Sequence, residues 1–121
     1  IILAGGIGIT PFYEVVSQFN SPDTYLFYAN KNLESALYRD KFKKLLKNNY
    51  YDFIDNPVAS SENVFCEIIS ANKLKEILAG KNLNEFKFFI CGSPGFTNAM
   101  ISCVLSLGVS KYNIFIEEFE Y

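Results

Sequence analysis

The sequence predicts an α/β domain in which helices cover both faces of a parallel β-sheet. Short apolar or aromatic segments alternate with longer segments whose apolar residues recur at helical spacing. One short segment, FKFFICG at residues 86–92, is apolar enough to be buried on both faces, which is typical of a parallel sheet. We therefore expect a three-layer, doubly wound fold of five parallel strands in the order 3-2-1-4-5.

The five strands are predicted where β-favouring residues are bounded by turn residues. They cover residues 1–4, 24–30, 50–55, 86–92 and 113–119. The irregular stretch after Asn56-Pro57 is expected to contain one short extended segment within residues 64–69. Because parallel strands end at one edge of a sheet, positions 4–5, 30–31, 55–56, 91–92 and 118–119 should share that edge.

Four helices are predicted between the strands. In the first, apolar residues stand at positions i, i+3, i+4 and i+7, namely Phe12, Val15, Val16 and Phe19. The second should cover residues 34–49, and the third should begin behind Ser70, whose side chain suits a helix N-cap. The fourth is predicted over residues 95–107, where apolar residues from Phe96 to Leu107 repeat at helical spacing, and Gly108 then ends it.

The composition excludes several classes of protein. A chain of 121 residues suits one domain, and a formal net charge of −2 without a basic block argues against nucleic acid as a partner. No apolar run approaches the ~20 residues of a membrane-spanning helix. The absence of histidine removes Ser-His-Asp and Cys-His catalysis and histidine metal sites. Cys66, Cys91 and Cys103 lack a CxxC spacing, so no metal site is expected, and reduced thiols in the cytoplasm are the default.

The first residues indicate a domain excised from a longer protein. The chain opens with IILAGG, without a methionine and already inside a predicted strand. No signal peptide is visible and no membrane segment is expected within the chain. The expected location is therefore cytoplasmic, or the cytoplasmic face of a membrane if transmembrane helices precede the chain.

The first candidate site is the turn GGIGITP between the first strand and the first helix. The glycines Gly5, Gly6 and Gly8 permit positive φ and let a ligand approach the backbone closely. Thr10 suits an N-cap and Pro11 the first helical position, so the helix would present free N–H groups to a pyrophosphate. The alternative is a tight turn with a purely structural role.

The second candidate site is CGSPG, which follows the fourth strand and precedes the fourth helix. Its residues are Cys91, Gly92, Ser93, Pro94 and Gly95. Two such turns on neighbouring strands would form a paired cradle for a dinucleotide. We expect Cys91 at the crevice rather than in the core, as a small polarisable wall beside a reacting ring. The alternative is an ordinary turn with a buried cysteine.

The third candidate site is the pair Glu117-Glu118 on the last strand. Adjacent residues of a strand point to opposite faces, so one of the two carboxylates could face the crevice. The alternative is a pair of solvated residues on an edge strand.

These motifs, in this order, resemble the nicotinamide-nucleotide domain of the ferredoxin–NADP reductase superfamily. That superfamily includes flavin reductases, NADH–cytochrome b5 reductase-like enzymes and ferric-reductase-like oxidases. The resemblance covers essentially all of the chain and is carried by LAGGIGITP, FYANKN, CGSPGFTNAM and GVSKYNIFIEEF. It implies one NAD(P)H-binding domain over residues 1–121.

The resemblance also implies roles for individual residues. The pyrophosphate and the nicotinamide end would be held by the first turn, at Gly6, Gly8, Ile9 and Thr10. Cys91, in the second turn, would lie by the nicotinamide C4 atom, and Glu118 would lie near the centre of hydride transfer.

The implied chemistry is transfer of a hydride from NAD(P)H to a flavin. Members of the superfamily bind FAD in a separate β-barrel domain, N-terminal to this one, and that barrel is absent from the sequence. The chain alone is therefore not expected to bind FAD tightly. The expected partners are an FAD-binding domain in cis and an electron acceptor that these residues do not identify.

The choice between NADH and NADPH depends on the residues at the adenosine ribose. This end should lie over the second and third strands, near Asn30, Lys31 and Asp55. Asp55 would repel a 2′-phosphate and could bond to the ribose hydroxyls, whereas Lys31 could pair with a phosphate. We expect NADH to be favoured.

Two other functions remain open on the sequence. The chain could be a non-catalytic module that binds NAD(P)H and regulates an associated complex. It could also be a flavodoxin-like domain that holds another phosphate ligand, although no acidic cluster suited to phosphorylation stands at the strand ends.

Overall fold

The computed structural model describes residues 1–19, 21–56 and 61–118. The strands within these ranges are β1 Ile2–Gly5, β2 Leu26–Asn30, β3 Tyr50–Ile54, β4 Val64–Phe65, β5 Phe88–Gly92 and β6 Ile114–Glu118. The α-helices are α1 Thr10–Phe19, α2 Arg39–Leu46, α3 Ala71–Ile77 and α4 Pro94–Ser106.

The strands form one parallel sheet in the order β4-β3-β2-β1-β5-β6. The predicted α/β class with a parallel sheet is confirmed, but the predicted count of five strands is wrong. The five expected strands keep their relative order, and β4 adds a sixth at the edge beside β3. β4 lies within residues 64–69, where a short extended segment was expected, but its two residues are too few to show the alternation by which a strand of the sheet is predicted. Position 119, the predicted end of the last strand, lies outside the described residues.

The second helix is shorter than its predicted span of residues 34–49. A single 3-10 turn covers Leu33–Ser35, and the α-helix begins only at Arg39. Between them Tyr38 adopts a left-handed conformation with φ of 61°, which interrupts a right-handed helix. The prediction from apolar spacing alone therefore continued one helix across a residue at which the helical conformation is interrupted.

The sheet carries one hydrophobic core on each face, which gives the three layers. On one face, α3 and α4 pack Leu74, Met100 and Val104 against strand residues such as Phe27. On the other face, α1 and α2 pack against a second set of buried strand residues. Adjacent residues of β1 divide between the cores, since Leu3 belongs to the first and Ile2 and Ala4 to the second.

A buried ion pair ties α2 to β3. The Arg39 Nε atom donates to Asp52 Oδ2 at 2.8 Å, and the Tyr50 hydroxyl donates to Asp52 Oδ1 at 2.7 Å. Asp52 is only 1% exposed, so its charge has lost its hydration and depends on these two donors. Burial and the neighbouring carboxylate together raise the pKa of Tyr50, which keeps its hydroxyl protonated as a donor.

We expect Arg39→Leu to lower the free energy of unfolding by about 3 kcal/mol, because it leaves the Asp52 charge buried without its partner. Tyr50→Phe should cost less, about 1–2 kcal/mol, since the ion pair survives. Urea denaturation of both variants measures these values, and Lys43→Ala, on the exposed side of α2, is the control. A cost for Arg39→Leu no larger than that of the control would contradict the role of the pair.

Candidate functional site

The two glycine-containing turns predicted to form the site are in direct backbone contact. They follow β1 and β5, which are neighbours in the sheet with Ala4 opposite Cys91. A Cβ atom built on Gly8 would lie 2.5 Å from the carbonyl oxygen of Cys91 and 2.9 Å from the amide nitrogen of Gly92. No side chain fits there, so glycine at position 8 allows the two turns to pack side by side. The predicted adjacency of the turns is confirmed.

The first turn is a 3-10 helix, Gly6–Ile9, that runs directly into α1. Gly6 has φ of +57°, which favours glycine. Thr10 is not the N-cap that we expected, because its backbone is already helical and its hydroxyl donates backwards to the Ile7 carbonyl at 2.9 Å. Because the 3-10 turn continues directly into α1, no residue of extended conformation stands between them to cap α1. The N–H groups without intrahelical acceptors are therefore those at the start of the 3-10 turn, which lie closer to β1.

The second turn has the expected cap at the start of α4. Ser93 is extended, and its Oγ atom accepts a hydrogen bond from the Phe96 amide at 3.3 Å. Pro94 occupies the first position of the helix, where its lack of an N–H group costs nothing. A Cβ atom on Gly95 would meet no atom within 4 Å, so this residue borders open space.

An open cleft of about 640 Å³ runs along the carboxyl ends of β5, β1, β2 and β3. The predicted site residues that line it are Gly5, Gly6, Asn30, Lys31, Asp55 and Ser93. The other predicted residues stand beside it in the two turns without lining it, and they are Gly8, Ile9, Thr10, Pro11, Gly92, Pro94 and Gly95. The cleft follows the sheet edge on which the strand order predicted a ligand.

Phe96 forms part of the cleft wall and was missing from the predicted site. A Cβ atom on Gly5 or on Gly92 would lie 3.0 Å or 2.8 Å from its ring, so the ring packs against both glycines. Its helical spacing in the sequence marked it as an ordinary core residue of α4. The signal available in the sequence was its position directly after CGSPG, the second candidate turn. Ile7, Ala29 and Ser35 also line the cleft.

Cys91 lies in the core and not at the crevice, which corrects our expectation. It is fully buried, because β5 has strands on both sides and the first turn lies against its carbonyl group. Burial, and to a smaller extent the charge of Glu117, raise the pKa of its thiol to about 11. The thiol is therefore neutral at physiological pH, which does not suit a nucleophile.

The register of β6 places the two glutamates beside the second turn. Glu117 is opposite Cys91, and Glu118 is opposite Gly92. Glu117 is exposed, whereas the side chain of Glu118 lies outside the described part of the structure. The catalytic role assigned to Glu118 stays a prediction.

The far end of the cleft is built by the ends of β2 and β3. The Lys31 carbonyl accepts hydrogen bonds from the amides of Asp55 and Asn56, both at 3.1 Å, which holds the two strand ends together. The side chains of Lys31 and Asp55 are exposed at the cleft. The Asn30 Nδ2 atom is buried, and the Asn30 side chain interacts with the neighbouring Tyr28 hydroxyl.

No group of three cysteine, aspartate or glutamate residues within the described ranges is arranged to hold a metal ion. In the same ranges, no helix has the length and apolar character needed to cross a bilayer.

The chain belongs to the oxidoreductase NAD-binding domain family, whose model matches residues 2–102. It is 32% identical over 124 residues to NADH-cytochrome b5 reductase 1 of Aspergillus terreus, a match that covers 91% of this chain and 41% of that protein. It is 29% identical over 111 residues to a flavohemoprotein of Candida norvegensis, covering 90% of this chain and 27% of that protein. The chain thus spans less than half the length of these relatives.

Solved structures share the fold. The FAD/NAD-binding domain of nitric oxide dioxygenase from Vibrio cholerae superposes with a TM-score of 0.74 at 21% identity, over 98% of this chain and 49% of that one. The cytochrome b5 reductase domain of Ulva prolifera nitrate reductase superposes with a TM-score of 0.77 at 21% identity, over 96% of this chain and 47% of that one.

We expect Gly8→Ala to lower the free energy of unfolding by about 2 kcal/mol, because its methyl group would clash with backbone atoms that cannot rotate away. Gly95→Ala is the matched control. Its methyl group meets open space, and alanine in a helix is favoured by up to about 1 kcal/mol. Thermal or urea denaturation compares the two variants, and equal stabilities would refute the close contact between the turns.

Proposed function

We propose that this chain is the NAD(P)H-binding half of a flavin-dependent oxidoreductase, with NADH favoured over NADPH. In this proposal FAD on a separate domain of the complete protein receives the hydride. The reduced flavin then passes its electrons to an acceptor. The observation that carries the proposal is the contact between Gly8 and the Cys91-Gly92 peptide at the head of a cleft across the strand ends. Family membership and the match to cytochrome b5 reductases support it.

The pyrophosphate is assigned to the two turns. The 3-10 turn from Gly6 and the capped start of α4 behind Ser93 both present N–H groups near the cleft, and both suit an anion. Gly95 leaves room for the backbone to approach a phosphate. The nicotinamide end of the cofactor is assigned to the end of the cleft that lies next to Gly8, Ile9 and Cys91.

Bound NADH supplies the hydride, and the protein aligns donor and acceptor without a covalent step. In this proposal Cys91 is a neutral, buried residue that packs behind the first turn and does not line the crevice. Its backbone carbonyl lies against Gly8 and so limits where the turn can lie, and its unionised thiol adds no charge at that end of the cleft. Glu118 is the proposed polarising carboxylate, since its backbone is level with Gly92.

The adenosine is assigned to the far end of the cleft. Asp55 can accept hydrogen bonds from ribose hydroxyls, and its charge opposes a 2′-phosphate. The Asn30 amide lines this end of the cleft and adds a polar group beside Asp55. Lys31 lines the same end of the cleft, and its positive charge would attract the 2′-phosphate of NADPH. The preference for NADH is therefore expected to be moderate.

A cytoplasmic location, or the cytoplasmic face of a membrane, belongs to the same proposal. The three cysteines are free within the described structure, which agrees with a reducing compartment.

The decisive experiment uses the complete protein, with its FAD confirmed by absorbance, and follows flavin bleaching by NADH under anaerobic conditions. Wild type should bleach, and Cys91→Ala should slow hydride transfer about tenfold, or ~1.4 kcal/mol in the barrier, with a smaller effect on nucleotide binding. Cys103→Ala, on α4, is the control. Absence of bleaching with either nucleotide would eliminate the reductase function, and bound NADH without bleaching would favour a regulatory module.

We expect Asp55→Ser to shift the ratio of kcat/KM values for NADH and NADPH towards NADPH by about tenfold, because a repulsive charge near the 2′-phosphate is removed. Glu85→Ser removes an exposed carboxylate away from the cleft and should leave the ratio unchanged. An unaltered ratio in Asp55→Ser would take this residue out of the specificity site.

A further inference from the structure

The far end of the cleft contains a serine hydroxyl that is already engaged within the chain. Ser35 lines the cleft together with Lys31 and Asp55. It belongs to the 3-10 turn Leu33–Ser35 that follows β2, and Asn32 caps this turn. The Asn32 Oδ1 atom accepts one hydrogen bond from the Ser35 amide at 2.9 Å and another from the Ser35 hydroxyl at 2.7 Å. The Ser35 side chain is therefore held at a defined place on the cleft wall.

The direction of the hydrogen bond from the Ser35 hydroxyl follows from its neighbours. A backbone N–H group is only a donor, so the Asn32 atom that faces the Ser35 amide must be the oxygen and not the side-chain nitrogen. An amide oxygen only accepts, so the Ser35 hydroxyl donates its one proton to it. The lone pairs of the hydroxyl remain for the cleft. Ser35 therefore meets a ligand as a hydrogen-bond acceptor.

An acceptor at this position discriminates between the two forms of the cofactor. NADH and NADPH differ at the adenosine ribose, where NADH has a free 2′-hydroxyl and NADPH has a 2′-phosphate. A hydroxyl can donate to the Ser35 oxygen, whereas a phosphate above its second pKa, about 6, has only acceptor oxygens. Two acceptors that face each other stay unpaired, which lowers the affinity. Selectivity is strongest where attraction to one ligand is combined with rejection of the other.

We propose that Ser35 and Asn32 form a second determinant of the preference for NADH, an inference that rests on the proposed function. Ser35 accepts a hydrogen bond from the ribose 2′-hydroxyl. Asn32 is a positioning residue, because it engages the Ser35 proton and so makes it unavailable to a 2′-phosphate. The Asp55 carboxylate acts in the same direction through its charge, and the Lys31 ammonium group acts against both.

The test measures binding of NAD⁺ and NADP⁺ to the complete protein by isothermal titration calorimetry at about pH 8, where the 2′-phosphate is a dianion. Ser35→Ala removes the acceptor, while the bond from the backbone amide to Asn32 remains. We expect the dissociation constant of NAD⁺ to rise about threefold, which is typical of one hydrogen bond, and that of NADP⁺ not to rise.

Ser106→Ala is the matched control for the loss of a serine hydroxyl. The Ser106 hydroxyl also donates at 2.7 Å, to the Cys103 carbonyl, but Ser106 does not line the cleft. This variant should change neither dissociation constant.

Asn32→Ala tests the positioning role. It frees the Ser35 proton for donation to the 2′-phosphate, so the dissociation constant of NADP⁺ should fall about threefold. This gain should vanish in the double variant Asn32→Ala/Ser35→Ala, because no hydroxyl remains. A gain that persisted in the double variant would come from the altered turn and would overturn the role of Asn32.

Two further results would overturn the proposal. Ser35→Ala could weaken NADP⁺ as much as NAD⁺, which would show that the hydroxyl does not distinguish the two. Asn32→Ala could leave the NADP⁺ dissociation constant unchanged, which would show that the Ser35 proton was never withheld. The titration follows binding without hydride transfer, so failure of NADH to bleach the flavin would overturn the proposed function and leave the selectivity result standing. Absence of binding of either nucleotide to wild type would overturn both.

Discussion

The architecture of the candidate site depends on one close approach of two backbones. A side chain at position 8 would overlap the peptide that joins Cys91 to Gly92, so glycine there lets the turns after β1 and β5 pack together. Because β1 lies between β2 and β5, and α1 and α4 cover opposite faces of the sheet, the crossovers that follow β1 and β5 leave in different directions at this point. The cleft opens where those crossovers diverge, which is the general location of ligands in doubly wound sheets.

The two ends of the cleft differ in charge and polarity. At its head, backbone N–H groups and the ring of Phe96 give a surface of dipoles and apolar contact without a formal charge. At its far end, Lys31 and Asp55 place opposite charges on one wall, held in register by the hydrogen bonds from β3 to the Lys31 carbonyl. This division suits a ligand with a ring at one end and a polar sugar at the other. Cys91, buried behind this end, adds no charge to it, because burial opposes the ionisation of its thiol.

The helices cover only part of the surface of the sheet. Val16 of α1 is buried against the strands, whereas Val15, one position along, is half exposed. The apolar stripe of α1 is therefore wider than the contact that the sheet provides. Exposed apolar area of this kind is more typical of an interaction surface than of a surface that stays in water.

The sequence by itself determined the α/β class and the parallel sheet, because both follow from short apolar segments that alternate with segments of helical period. It also predicted that the two glycine turns meet, because each turn follows a strand and parallel strands end at one edge of the sheet. Only the tertiary structure decided the rest. It paired β4, part of the extended segment expected within residues 64–69, with the edge of the sheet. It also started α2 only at Arg39, because the left-handed Tyr38 interrupts a helix that apolar spacing alone would continue. It also buried Cys91 and brought Phe96 to the cleft, since burial depends on which strands and turns pack around a residue and local sequence does not carry that information.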